Sequence, residues 1–217
     1  MKNWKQLVTI TLCAATLFVG NAMSQQDKPA PGEPGGAMPD MQAMMKKWMA
    51  TLKPNQNHKW LEQMAGKYNT TTKMWMAGPD APPTEVKGTA ELKMVLNGRY
   101  LHHHAEGQML MPTETGEMKP IPYEGMGLTG YDNFRKCYVG HWQDNMTTAM
   151  HVFKGQLDPS RKTLTMYGEM DEPMLDMVGR HVKYVTRIDS DKQFTFMVFD
   201  LAAGENHKAL EIVYVRQ

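Results

Sequence analysis

Residues 180–200 read Arg180-His181-Val182-Lys183-Tyr184-Val185-Thr186-Arg187-Ile188-Asp189-Ser190-Asp191-Lys192-Gln193-Phe194-Thr195-Phe196-Met197-Val198-Phe199-Asp200. Val182, Tyr184, Thr186 and Ile188 alternate with His181, Lys183 and Arg187. A period of two is that of a strand, whose successive side chains point to opposite faces. Asp189-Ser190-Asp191 then supplies the short polar residues that reverse a chain. Beyond the turn, Phe194, Phe196, Met197 and Phe199 load both faces of the next segment with large side chains. A sheet with one wet face has no place for such a segment, whereas a barrel with a lined interior accommodates it.

The same alternation extends in both directions. Val86, Gly88, Ala90, Leu92 and Met94 alternate with Lys87, Thr89, Glu91 and Lys93, and Leu210, Ile212 and Tyr214 alternate with Glu211 and two valines. Candidate strands lie near 68–76, 86–96, 99–111, 124–132, 136–143, 149–157, 163–171, 180–188, 193–200 and 207–216. Asn97-Gly98, Asp132-Asn133, Asp158-Pro159-Ser160 and Ala203-Gly204-Glu205 punctuate them. Short strands at regular spacing with no long helix among them indicate an up-and-down barrel or a sandwich. The strands with bulk on both faces favour the first. The expected fold is all-β, a closed up-and-down antiparallel barrel of about ten strands.

One or two short helices should precede it. Met41, Met44, Met45, Trp48, Met49 and Leu52 form a single apolar stripe at helical spacing, with Gln42, Lys46 and Lys47 opposite. Pro54 ends that helix, and a shorter one is expected from a cap at Asn57 through Trp60, Leu61 and Met64, with Gly66 as its stop. Further upstream, Lys2 and Lys5 precede an uncharged, mostly apolar run from Leu7 to Val19 and the small-residue site Ala22-Met23-Ser24. That is the pattern of a secretory signal, and the run is too short for a membrane span. Residues 25–37 hold three prolines and almost nothing to bury, as a disordered linker does. The chain thus divides into a signal peptide at 1–24, a linker at 25–37, a Met-rich helix at 38–56 and a barrel domain at 57–217, with an exported, periplasmic or secreted destination.

Cleavage after residue 24 removes Lys2 and Lys5 from the 24 basic residues and none of the 23 acidic ones, leaving a net charge of about −1. A near-neutral chain without a basic stripe offers little to phosphate backbones, so no nucleic-acid partner is expected. Of the two cysteines only Cys137 remains, so no internal disulfide can form and the fold rests on its core.

Two resemblances follow from particular residues. Gly66-Lys67-Tyr68 at the first strand and Arg216 at the last resemble the opening of lipocalin-like (calycin) barrels, in which an Arg near the last strand lies over an aromatic ring. Here Tyr68 replaces the usual Trp, and Tyr68 with Arg216 is the expected barrel-closing pair. His58-Lys59-Trp60-Leu61 with Gly66, Leu96-Asn97-Gly98-Arg99-Tyr100, Gly125, Gly127, Gly130-Tyr131-Asp132, Tyr138-Val139 with Trp142 and Asp144, Gly204-Glu205 and Glu211-Ile212-Val213-Tyr214 recur in that order. The chain is similar in this to the bacterial family called domain of unknown function 1579. The resemblance implies a lipocalin-like barrel and no particular reaction.

A barrel of this size encloses one small apolar molecule when its interior side chains leave room. Tyr100, His102, His104, Tyr131, His141, Trp142 and Tyr184 are the candidate ligand-binding residues. His102 and His104 share one strand face with Tyr100 and Glu106, and His103 takes the other. With His141 they are candidates for a zinc or haem site, since imidazole suits both, although no H-x-x-x-H or C-x-x-C spacing is present. No nucleophile motif or phosphate loop occurs, so no catalytic residue is named. The leading expectation is a non-catalytic barrel binding a small apolar molecule. A haem or metal barrel, an enzyme using interior His and carboxylate groups, and a structural or interaction protein with a filled core remain open. The Met-rich helix either plugs the barrel mouth or docks on a protein partner.

Overall fold

The computed structural model describes residues 40–75, 78, 81–173 and 176–217; the expected signal peptide and linker lie outside them. Helix α1 spans Met41–Thr51 and α2 spans Gln56–Glu62. Ten strands follow: β1 Gly66–Met74, β2 Thr84–Val95, β3 Tyr100–Pro112, β4 Met118–Asp132, β5 Cys137–Asp144, β6 His151–Leu157, β7 Thr163–Glu172, β8 Met177–Ser190, β9 Gln193–Asp200 and β10 Lys208–Arg216. Each pairs antiparallel with its chain neighbour, and β1 pairs with β10 to close the barrel. The expected closed up-and-down barrel is what forms, without an exposed sheet edge around its girth.

Register and burial together assign the faces. Tyr68, Ala90, Leu92, Leu101, Tyr138, Phe153, Leu164, Met166, Val182, Tyr184, Phe194, Val198 and Tyr214 form one continuous core. On β9 the outward Thr195 and Met197 are buried too. Beside them Lys183 of β8 lays its ammonium 4.4 Å from the Phe199 ring centroid, so long side chains of the neighbouring strands cover the outer wall. That explains why this strand shows large residues on both faces.

The differences from expectation have local causes. Strand β4 begins at Met118 rather than near 124, because β3 and β4 extend together as a hairpin, Pro112 opposite Met118, beyond the part of β4 that pairs with β5. Pro120 and Pro122 sit in that extension, where β4 has a neighbour on one side only and a missing N–H is tolerated. The cap of α2 is Asn55, not Asn57. Its side chain accepts from the Asn57 N–H at 2.8 Å, while His58 Nδ1 accepts from the Asn55 N–H at 3.0 Å.

Helix α2 closes one end of the barrel. His58, Trp60 and Leu61 are buried. Trp60 Nε1 donates to the Arg161 carbonyl at 2.8 Å, and the Tyr138 hydroxyl donates to the Asn57 carbonyl at 3.2 Å. Arg216 lies 5.0 Å from the Tyr68 ring centroid and donates to the carbonyls of Ala65 and Gln63, which ties the last strand to the chain entering the first.

Helix α1 is different. Asp40 caps it by accepting from the Gln42 N–H at 2.9 Å, yet no residue of the helix is buried. Among the described residues, its side-chain attachments to the barrel are at its end. Asn133 donates to the carbonyls of Thr51 and Lys53 and accepts from Asn55, and Arg99 donates to the Leu52 carbonyl at 2.7 Å. The helix therefore stands at the closed end, between the β2–β3 and β4–β5 turns, and does not plug the other mouth.

Candidate functional site

The interior face of β3 is Leu101, His103, Ala105 and Gly107. His103 packs against the rings of Trp142 (4.9 Å) and Tyr214 (5.5 Å), which fixes that face as inward. Tyr100, His102, His104 and Glu106 consequently point outward, and His102 and His141 flank Leu128 in one row of the outer wall. The placement of Tyr100, His102, His104 and His141 around an enclosed ligand is thus corrected. The physical reason is the period of two: with Leu101, His103 and Ala105 packed inside, Tyr100, His102 and His104 take the other face of the strand. Tyr131, Trp142 and Tyr184 do face inward. Trp142 lies so close over Gly125 and Gly127 that a Cβ at either would overlap its indole.

The inward residues pack into one core. Near the mouth opposite α2, a cavity of about 50 Å³ remains, against Thr70, Thr72, Ala105, Tyr123, Trp142 and Tyr214. That is room for a few water molecules; a benzene ring occupies a cavity of about 150 Å³. Its lining includes the polar side chains of Thr70, Thr72 and Tyr123, and further polar groups lie elsewhere on the inner face. The Tyr123 hydroxyl approaches the Asp144 carboxylate at 3.5 Å, and burial together with that negative charge pushes its pKa up. Arg180 and Asp200 form an inward ion pair. His103 Nε2 and the Tyr184 hydroxyl are shut off from the surface without a hydrogen-bond partner. Burial, reinforced by repulsion from His102 and His104, lowers the His103 pKa to about 3, and burial raises that of Tyr184 to about 12. The imidazole is therefore neutral at ordinary pH.

A larger hollow lies outside. Across β5, β6 and β7 an open groove of about 540 Å³ is lined by Val139, Met150, Val152, Lys154, Tyr167 and Glu169, among others. It forms where β6 is short, and its floor is partly apolar, with Val152 and Tyr167 exposed.

The outer wall of β3 and β4 also gathers the one group of metal-ligating side chains found among the described residues. His104, Glu106 and Glu124 offer ligand atoms within 4.8 Å of one another, and His104 Nε2 lies 3.0 Å from Glu124 Oε1. Glu106 stands directly opposite Glu124. One imidazole and two carboxylates suit a divalent cation chemically. Both carboxylates are exposed, and neither His102 nor His141 belongs to the group.

At the closed end the structure displays what a soluble surface normally hides. Met41, Met44, Met45, Trp48, Met49 and Leu52 are all exposed, Trp48 by 53%. The two turns that hold α1 add Leu96, 65% exposed, and Phe134, 82% exposed. Leu96 has φ 49°, a left-handed conformation that a leucine adopts only at a cost. Sequence reasoning singled out the stripe but missed Leu96 and Phe134. Their signal was present, since each is a large apolar residue placed in a turn, beside Asn97-Gly98 and after Asp132-Asn133.

The family model described as "Protein of unknown function (DUF1579)" matches residues 53–216. The chain belongs to this family. No curated protein matches it. Among solved structures this DUF1579 barrel is similar to a redesigned β-barrel at 15% identity, covering 72% of this chain and 94% of that one with a TM-score of 0.36. It is also similar to a de novo designed fluorescence-activating β-barrel at 11% identity, covering 72% and 96% with a TM-score of 0.37. A third, a redesigned barrel bound to the small molecule DFHBI, has 15% identity, 71% and 99% coverage and a TM-score of 0.34. Strand pairing, and not these likenesses, carries the fold.

Proposed function

We propose that this chain is an exported, non-catalytic interaction protein whose filled barrel is a scaffold and whose working surface is the closed end. The observation that carries this reading is the apolar stripe of α1 and its C-cap Leu52, six large side chains that are all exposed. An isolated helix of 11 residues is marginal in water, and most helical stability comes from packing an amphipathic face. Here that face is free for something else. Methionine suits the task because its unbranched thioether chain adapts to irregular surfaces, and an apolar residue every third or fourth position is how helices engage apolar partners. The cavity beside Tyr123 and Trp142, at about 50 Å³, is too small for an enclosed apolar ligand of the kind expected from the barrel alone.

Anilinonaphthalene sulfonate, a dye that fluoresces on apolar surfaces, separates the readings. Native protein is expected to enhance its emission, and the substitutions Met44→Ser and Trp48→Ser together are expected to abolish most of that enhancement while leaving the melting temperature unchanged. Enhancement that survives in this variant would contradict the proposal.

A second reading, a small-molecule site on the wall, is favoured by the groove of about 540 Å³, a volume in the range of ligand clefts. Val152→Asp with Tyr167→Ala would remove dye binding there and spare the stripe.

A further inference from the structure

We infer that the closed end docks on an anionic lipid bilayer, with Trp48, Phe134 and Leu96 entering the headgroup region and the basic residues beside them meeting lipid phosphates. This rests on the reading of the closed end as the working surface and names its occupant. The first argument is the pairing of each apolar element with cations. Lys46 and Lys47 precede Trp48 directly, Arg135 and Lys136 follow Phe134 directly, and Arg99 holds its guanidinium against the carbonyls of Leu96 and Leu52. Across 40–53, 95–100 and 132–136 six basic side chains stand against two acidic ones. Both acids are engaged, Asp40 capping α1 and Asp132 accepting from the N–H groups of Phe134 and Arg135. A helix with an apolar face, an aromatic anchor and lysines elsewhere is the pattern of a segment lying in a membrane interface. A groove in a partner protein would take one helix, whereas three separate apolar elements, each with a cation beside it, match a flat charged surface.

The second argument is the distribution of charge over the barrel. Toward the opposite end, the β3–β4 connection at 113–117 carries Glu114 and Glu117, the last residues of β7 include Glu169, Asp171 and Glu172, and Asp176 precedes β8, with no base in 113–117 or 169–176. The chain is near neutral as a whole, yet polarised along the barrel. Such a molecule is oriented by a negatively charged surface with its basic end leading. The third argument is conformational. Leu96 and Phe134 are left largely exposed, and Leu96 holds an unfavourable φ of 49°. Both lie on the turns that bond the end of α1, so the three elements form one surface. No helix of the described residues is long and apolar enough to cross a membrane; the contact is peripheral.

The test is flotation of the protein lacking residues 1–24 with vesicles of pure phosphatidylcholine and with vesicles of equal parts phosphatidylcholine and phosphatidylglycerol. Binding to the anionic vesicles is expected to be at least about ten-fold tighter, as several cations meeting a charged surface require, and to weaken as salt rises. Lys46→Glu with Lys47→Glu is expected to lose about ten-fold, and so is Trp48→Ser with Phe134→Ser. Leu96→Asn should reduce binding while keeping or raising the melting temperature, because asparagine tolerates the left-handed turn. Absence of binding to anionic vesicles, or binding that the charge reversals leave intact, overturns the inference. If the vesicles fail while the dye still reports the stripe, the lipid occupant is wrong and the docking surface stands.

Discussion

At the residue scale the most informative side chain is His103. The sequence shows three histidines in a row, and their roles separate only when the barrel selects a face. His103 goes inside between Trp142 and Tyr214, while His104 meets Glu124 in the open. The sign of its effect on stability follows. Its folded pKa of about 3 lies below the ordinary value of 6.5, so below pH 6.5 the unfolded chain binds a proton that the folded chain refuses. Stability is therefore retained above 6.5 and lost progressively as the pH falls from there toward 3, with a slope approaching about 1.4 kcal/mol per pH unit for this one group. His58, its pKa lowered by burial and by Arg99, adds to the same limb. His103→Phe keeps a ring against Trp142 and Tyr214 and removes the proton. In urea titrations at pH 7 and pH 4.5 this variant is expected to lose clearly less stability between the two than the parent; an unchanged difference would show that His103 does not govern the acid limb. Arg216 is the other position with a large expected effect. Arg216→Lys cannot reproduce the stacked fork that reaches two carbonyls and covers Tyr68, and a loss of about 2 kcal/mol in the same titrations is expected.

At the scale of elements, the strands were legible because period-two alternation and turn chemistry agree along most of the chain. The start of β4 was not, since Pro120 and Pro122 read as a break, and only the one-sided pairing of the extended hairpin makes them compatible with a strand. Nor was the facing of β3, where both faces carry aromatic or imidazole rings and the decision is made by what fits across the barrel. Hence the candidate site was half legible. Tyr131, Trp142 and Tyr184 are inside, and Tyr100, His102, His104 and His141 are outside. Two element-level outcomes follow. On β6, a Cβ at Gly155 would overlap the Thr165 carbonyl and the backbone of Met166 on β7. Gly155→Ala is therefore expected to cost more than about 3 kcal/mol or to prevent folding, the penalty of overpacking against backbone that cannot move aside. On α1, by contrast, Met41→Ser or Met45→Ser is expected to shift the melting temperature by no more than about 1 °C, as for surface changes away from any packed contact. A large drop on calorimetry would show that the stripe is packed after all.

At the scale of the molecule, the barrel is a core wrapped by a closed sheet, and the function proposed above puts its working surface on the outside. The cavity toward the open mouth is small and edged with polar groups, whereas the closed end exposes eight large apolar side chains with cations among them. The measurement that tests this division most directly is magnetic resonance of isotope-labelled methionine methyl groups during titration with a spin-labelled fatty acid, since methionines lie both in α1 and in the core. The account requires broadening of the Met41, Met44, Met45 and Met49 methyls, with Met74 and Met166 unaffected. Broadening of Met74 and Met166 while the α1 methyls stay sharp would mean that the barrel opens to hold its ligand inside, and would contradict it.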